Sequence, residues 1–143
     1  MRPTSPSPTN LPDAPRKYMC NAVTAGIHLR RAYDAPGAED GLRVLVDRLW
    51  PRGLVRASAK IDMWLRDIAP SDALRRWFGH EPARWDAFAM RYRSELMANP
   101  TPMAELLRLC RAGPVTLLFA AHDTERNNAV VLRDVLRERI KAE

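Results

Sequence analysis

Two stretches of this chain are apolar at nearly every position: Leu42-Arg43-Val44-Leu45-Val46 and Val115-Thr116-Leu117-Leu118-Phe119-Ala120. A strand with one face in water alternates apolar and polar residues, whereas a strand covered on both faces reads as an almost unbroken apolar run. Both stretches are therefore expected to be buried strands, and a sheet that holds them needs a covering layer on each face. A third strand is expected at Ile27-His28-Leu29-Arg30-Arg31-Ala32-Tyr33, which alternates as a half-buried strand does and is closed by the turn-like Asp34-Ala35-Pro36-Gly37. After the last strand, Ala129, Leu132, Leu136 and Ile140 fall along one face of a helix. Strand, loop and helix in that order predict an α/β fold. It is a small parallel or mixed β-sheet flanked by helices, three-layered and Rossmann-like.

The cover has to come from the middle of the chain. Ile61, Trp64, Leu65 and Ile68 recur at helical spacing, which predicts a helix that stops at Pro70. Ser71 then suits the N-cap of a short helix carrying Leu74, Trp77 and Phe78 and ended by Gly79. Pro82 stands where a first helical turn tolerates it, and Trp85, Phe88, Ala89, Tyr92 and Leu96 make the apolar stripe of the next helix. A further helix is expected through Met103, Leu106, Leu107 and Cys110, with Gly113 just past its end. At helical spacing, the aromatic residues Trp64, Trp77, Trp85 and Phe88 read as core rather than as a stacking platform.

At 143 residues and 46% hydrophobic content, the chain can bury one core. Residues 1–25 hold five of the twelve prolines and lack periodicity. They are expected to be a disordered extension, with Met19 as the native start and residues 26–143 as a single α/β domain. Two cysteines, Cys20 and Cys110, are too few for a disulfide scaffold and fit a reducing cytoplasm. No apolar run reaches membrane-spanning length, and a cytoplasmic location with no membrane partner is the expectation. The net charge is +6, mostly from arginine, for only Lys17, Lys60 and Lys141 are lysines. No basic run is long enough to single out nucleic acid as the partner.

The segments RAYD, GLRVLVDRLWPRG, DMWLRDIAPS, LRRWFGHEPARWDAF, RYRSEL and VTLLFAAHDTERNNAVVL resemble, in that order, the signature segments of the YeaO-like family, within the domain-of-unknown-function group 488. The resemblance spans roughly residues 27–138 and implies an α/β fold without an assigned activity. Some broader relatives carry a cysteine at the end of the last strand and a Cys-His-Arg triplet at the next helix start. Here those places are Phe119 and Arg126-Asn127-Asn128, so thiol chemistry does not carry over.

Ligands of open α/β sheets sit beyond the carboxyl ends of the strands. One such end offers Asp47, Arg48, Trp50 and Arg52; the other offers His122, Asp123, Asn127 and Asn128. If the two strands are neighbours, these loops converge. Arg48 and Arg52 are then suited to grip a carboxylate or phosphate, Trp50 to stack on a planar group, and Asn127 and Asn128 to cap the helix or touch the ligand. The competing view has Arg48 paired with Asp47 or another carboxylate and Trp50 plugging the core. His122 and Asp123 are the acid–base candidates, though Asp123 equally suits the N-cap of the last helix. Trp77-Phe78-Gly79-His80-Glu81 is placed to act as a lid.

His28, His80 and His122 lack metal-ligand spacing, so no metal is expected. No glycine-rich phosphate or dinucleotide loop and no G-x-S-x-G elbow occur, neither cysteine has the downstream arginine of a thiol phosphatase, and no cofactor is expected. Three readings stay open: a hydrolase or transferase acting on an anionic small molecule, a non-catalytic sensor of such an anion, and a nucleic-acid-associated module using Arg75, Arg76, Arg84, Arg91 and Arg93.

Overall fold

The computed structural model describes residues 26–142. The expectations for residues 1–25, including Met19 as the start and a reduced Cys20, lie outside that range. Four strands form one sheet: β1 (Ile27–Arg31), β2 (Leu42–Leu45), β3 (Met63–Trp64) and β4 (Val115–Phe119), in the order β1-β4-β2-β3 and all parallel. The two apolar runs, β2 and β4, are the central pair, with Val44 opposite Leu117 and Leu45 opposite Leu118. This central position is what an unbroken apolar run requires, because both faces of each strand are then covered.

The two faces are covered unequally. Val44, Val115, Leu117 and Phe119 face the larger core, which is completed by α2 (Asp72–Phe78), α3 (Trp85–Met97), α4 (Pro100–Ala112) and α5 (Asn128–Lys141). Leu45 and Leu118 face a smaller cluster with Ala32, Ala59 and Ile61, closed by Trp50, Leu54 and Trp64. The third layer is thus only the one-turn helix α1 (Arg56–Ala59) and the loop before it. Among the described residues, no helix is long and apolar enough to cross a membrane.

The helix expected over residues 61–68 is not formed. Met63–Trp64 instead pairs with Val44 and Leu45 as an edge strand, and only Arg66–Ile68 turns as a single 3₁₀ turn. The spacing misleads because Ile61 is buried in the small cluster with Trp64 packed half-buried against it, while Ile68 enters the large one. One helical stripe cannot serve two cores on opposite faces of a sheet. The other helices form where expected. Ser71 caps α2 by accepting from the Leu74 N–H, and it is itself held by Glu95 of α3, which takes the Ser71 N–H at 2.8 Å and its hydroxyl at 2.6 Å.

At the amino ends of β2 and β4 the chains approach closely. Gly41 has φ +64°, and a Cβ there would lie 2.2 Å from the Pro114 carbonyl oxygen. Only glycine fits both constraints. Beside it, Asp40 is buried against Arg43 and Arg30 and accepts the Gly37 N–H. Arg43 adds a bond to the Ala59 carbonyl, while its Nη2 is buried without an acceptor. The Thr116 hydroxyl donates to the Asp40 carbonyl.

Candidate functional site

Because β2 and β4 are neighbours, the loops leaving their carboxyl ends meet. They enclose, with the end of α2, a cleft of about 700 Å³. All seven predicted site residues line it: Arg48, Trp50 and Arg52 from the loop after β2, and His122, Asp123, Asn127 and Asn128 from the loop after β4. Phe78, Gly79 and His80 of the expected lid segment line it from above the strand ends, with His80 in the left-handed region at φ +59°. That conformation is uncommon for a residue with a Cβ.

Several of these side chains already have protein partners. Arg48 donates from Nε to the Pro70 carbonyl at 3.0 Å and from Nη2 to Ala69 at 3.4 Å, so it anchors the segment before α2 rather than pairing with Asp47. The Trp50 indole N–H donates to Leu54, and its ring packs edge-on against Trp64 at 5.3 Å. Asn127, not Asp123, is the N-cap of α5: its Oδ1 accepts the Val130 N–H. Asn128 reaches across to donate to the Val46 carbonyl at the end of β2. Asp123 caps the preceding turn instead, accepting from the Glu125 and Arg126 N–H groups and pairing with the Arg126 guanidinium at 2.9 Å. Those turn amides, and then Arg126, hold its carboxyl below the usual range. His122 is exposed, and it makes no hydrogen bond to Asp123.

Arg52 is different. Only its backbone is engaged, its carbonyl accepting the Tyr33 hydroxyl; its guanidinium has no partner among the described residues. Arg75 and Arg76, read from sequence as part of a basic helix face, instead line the cleft, both near Asp72 at 3.1 and 3.8 Å. Of the remaining arginines of that face, Arg93 forks onto Glu138, while Arg84 and Arg91 lie against the Trp77 ring.

Asp47 is expected from sequence at this strand end, with an ion pair to Arg48 as its alternative role. It lines the cleft half-buried, its Oδ2 accepting the Ala120 N–H at 2.9 Å, while the Trp64 indole N–H holds its carbonyl at 2.7 Å. Burial pushes its carboxyl above the ordinary aspartate value, and the Ala120 N–H and Asn128 amide oppose that shift without cancelling it. Arg31 is a residue not foreseen: from β1 it donates to the Ala120 and Ala121 carbonyls and so fixes the loop after β4. Local sequence gives no sign of either role, because both depend on which strands lie side by side. Cys110 is buried within the α4 side of the core, its thiol pushed up to about 11 by desolvation, and it is remote in character from a reactive thiolate.

Fold and site together define a class: a small three-layer α/β domain with a charged, aromatic-walled cleft at the carboxyl ends of its central strands. Residues 26–143 match the family model described as "Inactive DUF488-N3 subclade". The chain is 39% identical over 113 residues to an uncharacterized protein of Mycobacterium tuberculosis, covering 79% of this chain and 95% of that relative. A protein of Mycobacterium bovis matches to the same extent. The uncharacterized protein YeaO of Escherichia coli is 39% identical over 111 residues, covering 78% of this chain and 96% of its own. No solved structure gives a significant match. The chain belongs to the YeaO-like family, in the DUF488-N3 subclade.

Proposed function

We propose that this chain is a non-catalytic binding domain for a small anionic molecule, held in the cleft at the strand carboxyl ends. The observation that carries this reading is the charge of the lining. Arg48, Arg52, Arg75, Arg76 and Arg126 face the cleft against only Asp47 and Asp123. Such an excess within an apolar-walled recess attracts a carboxylate or phosphate more strongly than the same charges on open surface, since less water screens them. Guanidinium groups also match those oxyanions geometrically.

A binding role is favoured over an acid–base one by the state of the two acid–base candidates. Asp123 is committed to its turn and to Arg126, and among the described residues no carboxylate orients His122. General acid–base catalysis needs a base within hydrogen-bond reach of its proton and oriented by a partner. The word "inactive" in the description of the matching family model agrees with this reading.

A thermal-shift screen of the full chain against phosphorylated and carboxylated metabolites, nucleotides and short DNA tests it. A ligand at 100 times its Kd adds about 2.7 kcal/mol, which in a domain of this size raises Tm by roughly 5–10 °C. The expected result is a small-anion hit that is lost in Arg52→Ala, with the ligand recovered unchanged. Consumption of the ligand would return His122 and Asp123 to an acid–base role. Shifts with DNA alone, sensitive to salt and indifferent to Arg52→Ala, would favour the nucleic-acid reading.

A further inference from the structure

The cleft holds an arginine whose guanidinium no described residue engages and an aspartate that no described residue meets in an ion pair. Arg52 is one, exposed, its guanidinium without a partner among the described residues. Asp47 is the other. Five arginines share its cleft, yet among the described residues none forms an ion pair with it; His80 and Arg75 act on it only through space. The Ala120 N–H bond to Oδ2 leaves acceptor capacity open, because a carboxylate offers about four lone-pair sites. An ion drawn out of water without a partner is unfavourable, and a partner of opposite charge relieves it.

The same lining includes apolar walls, with Leu49, Trp50, Pro51, Phe78 and Phe88.

Resting on the anion-binding reading above, we infer that the ligand is a small zwitterion with an apolar body. Its acid group meets Arg52, and its ammonium group meets Asp47 beside the strand ends. An amino acid with an apolar side chain has this chemistry. The ammonium donates hydrogen bonds to the free acceptor sites of Asp47 and supplies the missing positive charge. The side chain displaces water from the aromatic walls.

Three probes with one phenylethyl body isolate the two charges: L-phenylalanine carries both, 3-phenylpropionate only the carboxylate, and 2-phenylethylamine only the ammonium. Isothermal titration of the full chain is expected to give L-phenylalanine a Kd at least roughly tenfold below either of the others. In Asp47→Asn, whose amide oxygen can still accept the Ala120 N–H, that advantage over 3-phenylpropionate is expected to disappear. If 3-phenylpropionate binds wild type as tightly as L-phenylalanine, and is lost in Arg52→Ala, the zwitterion is overturned while the anion reading stands. Absence of binding by L-phenylalanine overturns the zwitterion as well, leaving the anion reading to the phosphorylated and carboxylated panel. Should Asp47→Asn fail to fold, the three probes on wild type decide alone.

Discussion

The two ends of the central strand pair use the same residue types to opposite effect. At the amino ends, Asp40 and Arg43 are 4% and 3% exposed, and each meets the other; Arg30 and the Gly37 N–H complete the carboxylate's contacts. Burial alone would raise the Asp40 pKa, but these partners outweigh it and its carboxyl is lowered. At the carboxyl ends, Asp47 has an amide partner and, among the described residues, no cation in an ion pair, and burial wins. A closed network of this kind fixes the strand starts; an open one leaves charge to be met by something that enters. The difference between scaffold and site is therefore not in which residues are present but in whether their charges are already matched.

The largest expected effect lies at the closed end. Asp40→Asn strips the counter-charge from buried Arg43, and breaking such a pair costs about 3–5 kcal/mol, measurable by denaturant unfolding at neutral pH. Because the folded-state pKa of Asp40 is depressed, its contribution is present above the ordinary aspartate value near 4 and disappears as pH falls through the lower, folded value. The gap between wild type and variant should close in acid. A constant gap across that range would remove the charge argument.

Next in size, Gly41→Ala places a Cβ against the Pro114 carbonyl at a positive φ, with an expected loss of about 1–3 kcal/mol in the same assay. An unchanged midpoint would mean that the close approach of β2 and β4 relaxes easily.

Asp47→Asn should behave in the opposite sense to Asp40→Asn. A raised folded-state pKa means that ionised Asp47 costs stability as pH rises through that value, while the protonated form at lower pH costs nothing. The variant is expected to match or exceed wild type at neutral pH by up to about 1 kcal/mol, an advantage that fades towards pH 4. A marked loss at neutral pH would show that Asp47 acts mainly as a tie between strands, and would erase the contrast between the two ends. Smallest of all, Arg52→Ala should change stability by less than about 0.5 kcal/mol, because its guanidinium holds no other described residue. Its effect belongs in ligand binding alone.

Much of the scaffold was legible beforehand. The runs at 42–46 and 115–120 named the central strands, and Ser71, Gly79 and the 85–96 stripe placed helix boundaries that the structure keeps. The failure at residues 61–68 is instructive: an apolar spacing of three and four is shared by a helix and by a strand-plus-turn that feeds two cores. Of the site, the participating loops were legible and the state of each side chain was not. Of the two candidates for the last helix's cap, Asn127 takes the role and Asp123 does not, because the loop spends one extra turn before α5 begins. Arg75 and Arg76, expected on a basic helix face, are exposed and also line the cleft because α2 lies over the strand ends.

The sequence by itself determined that the chain makes a covered sheet, which two segments are its centre, and which family it resembles. These follow from local patterns: apolar runs, helical periodicity, capping residues and ordered motifs, each readable within a short window. Only the tertiary structure decided that β4 lies between β1 and β2, and with it that two loops more than sixty residues apart share one cleft. Whether a charge is matched or left open depends on neighbours brought from distant parts of the chain. Asp40 and Asp47 look alike in sequence, and only their three-dimensional surroundings distinguish them.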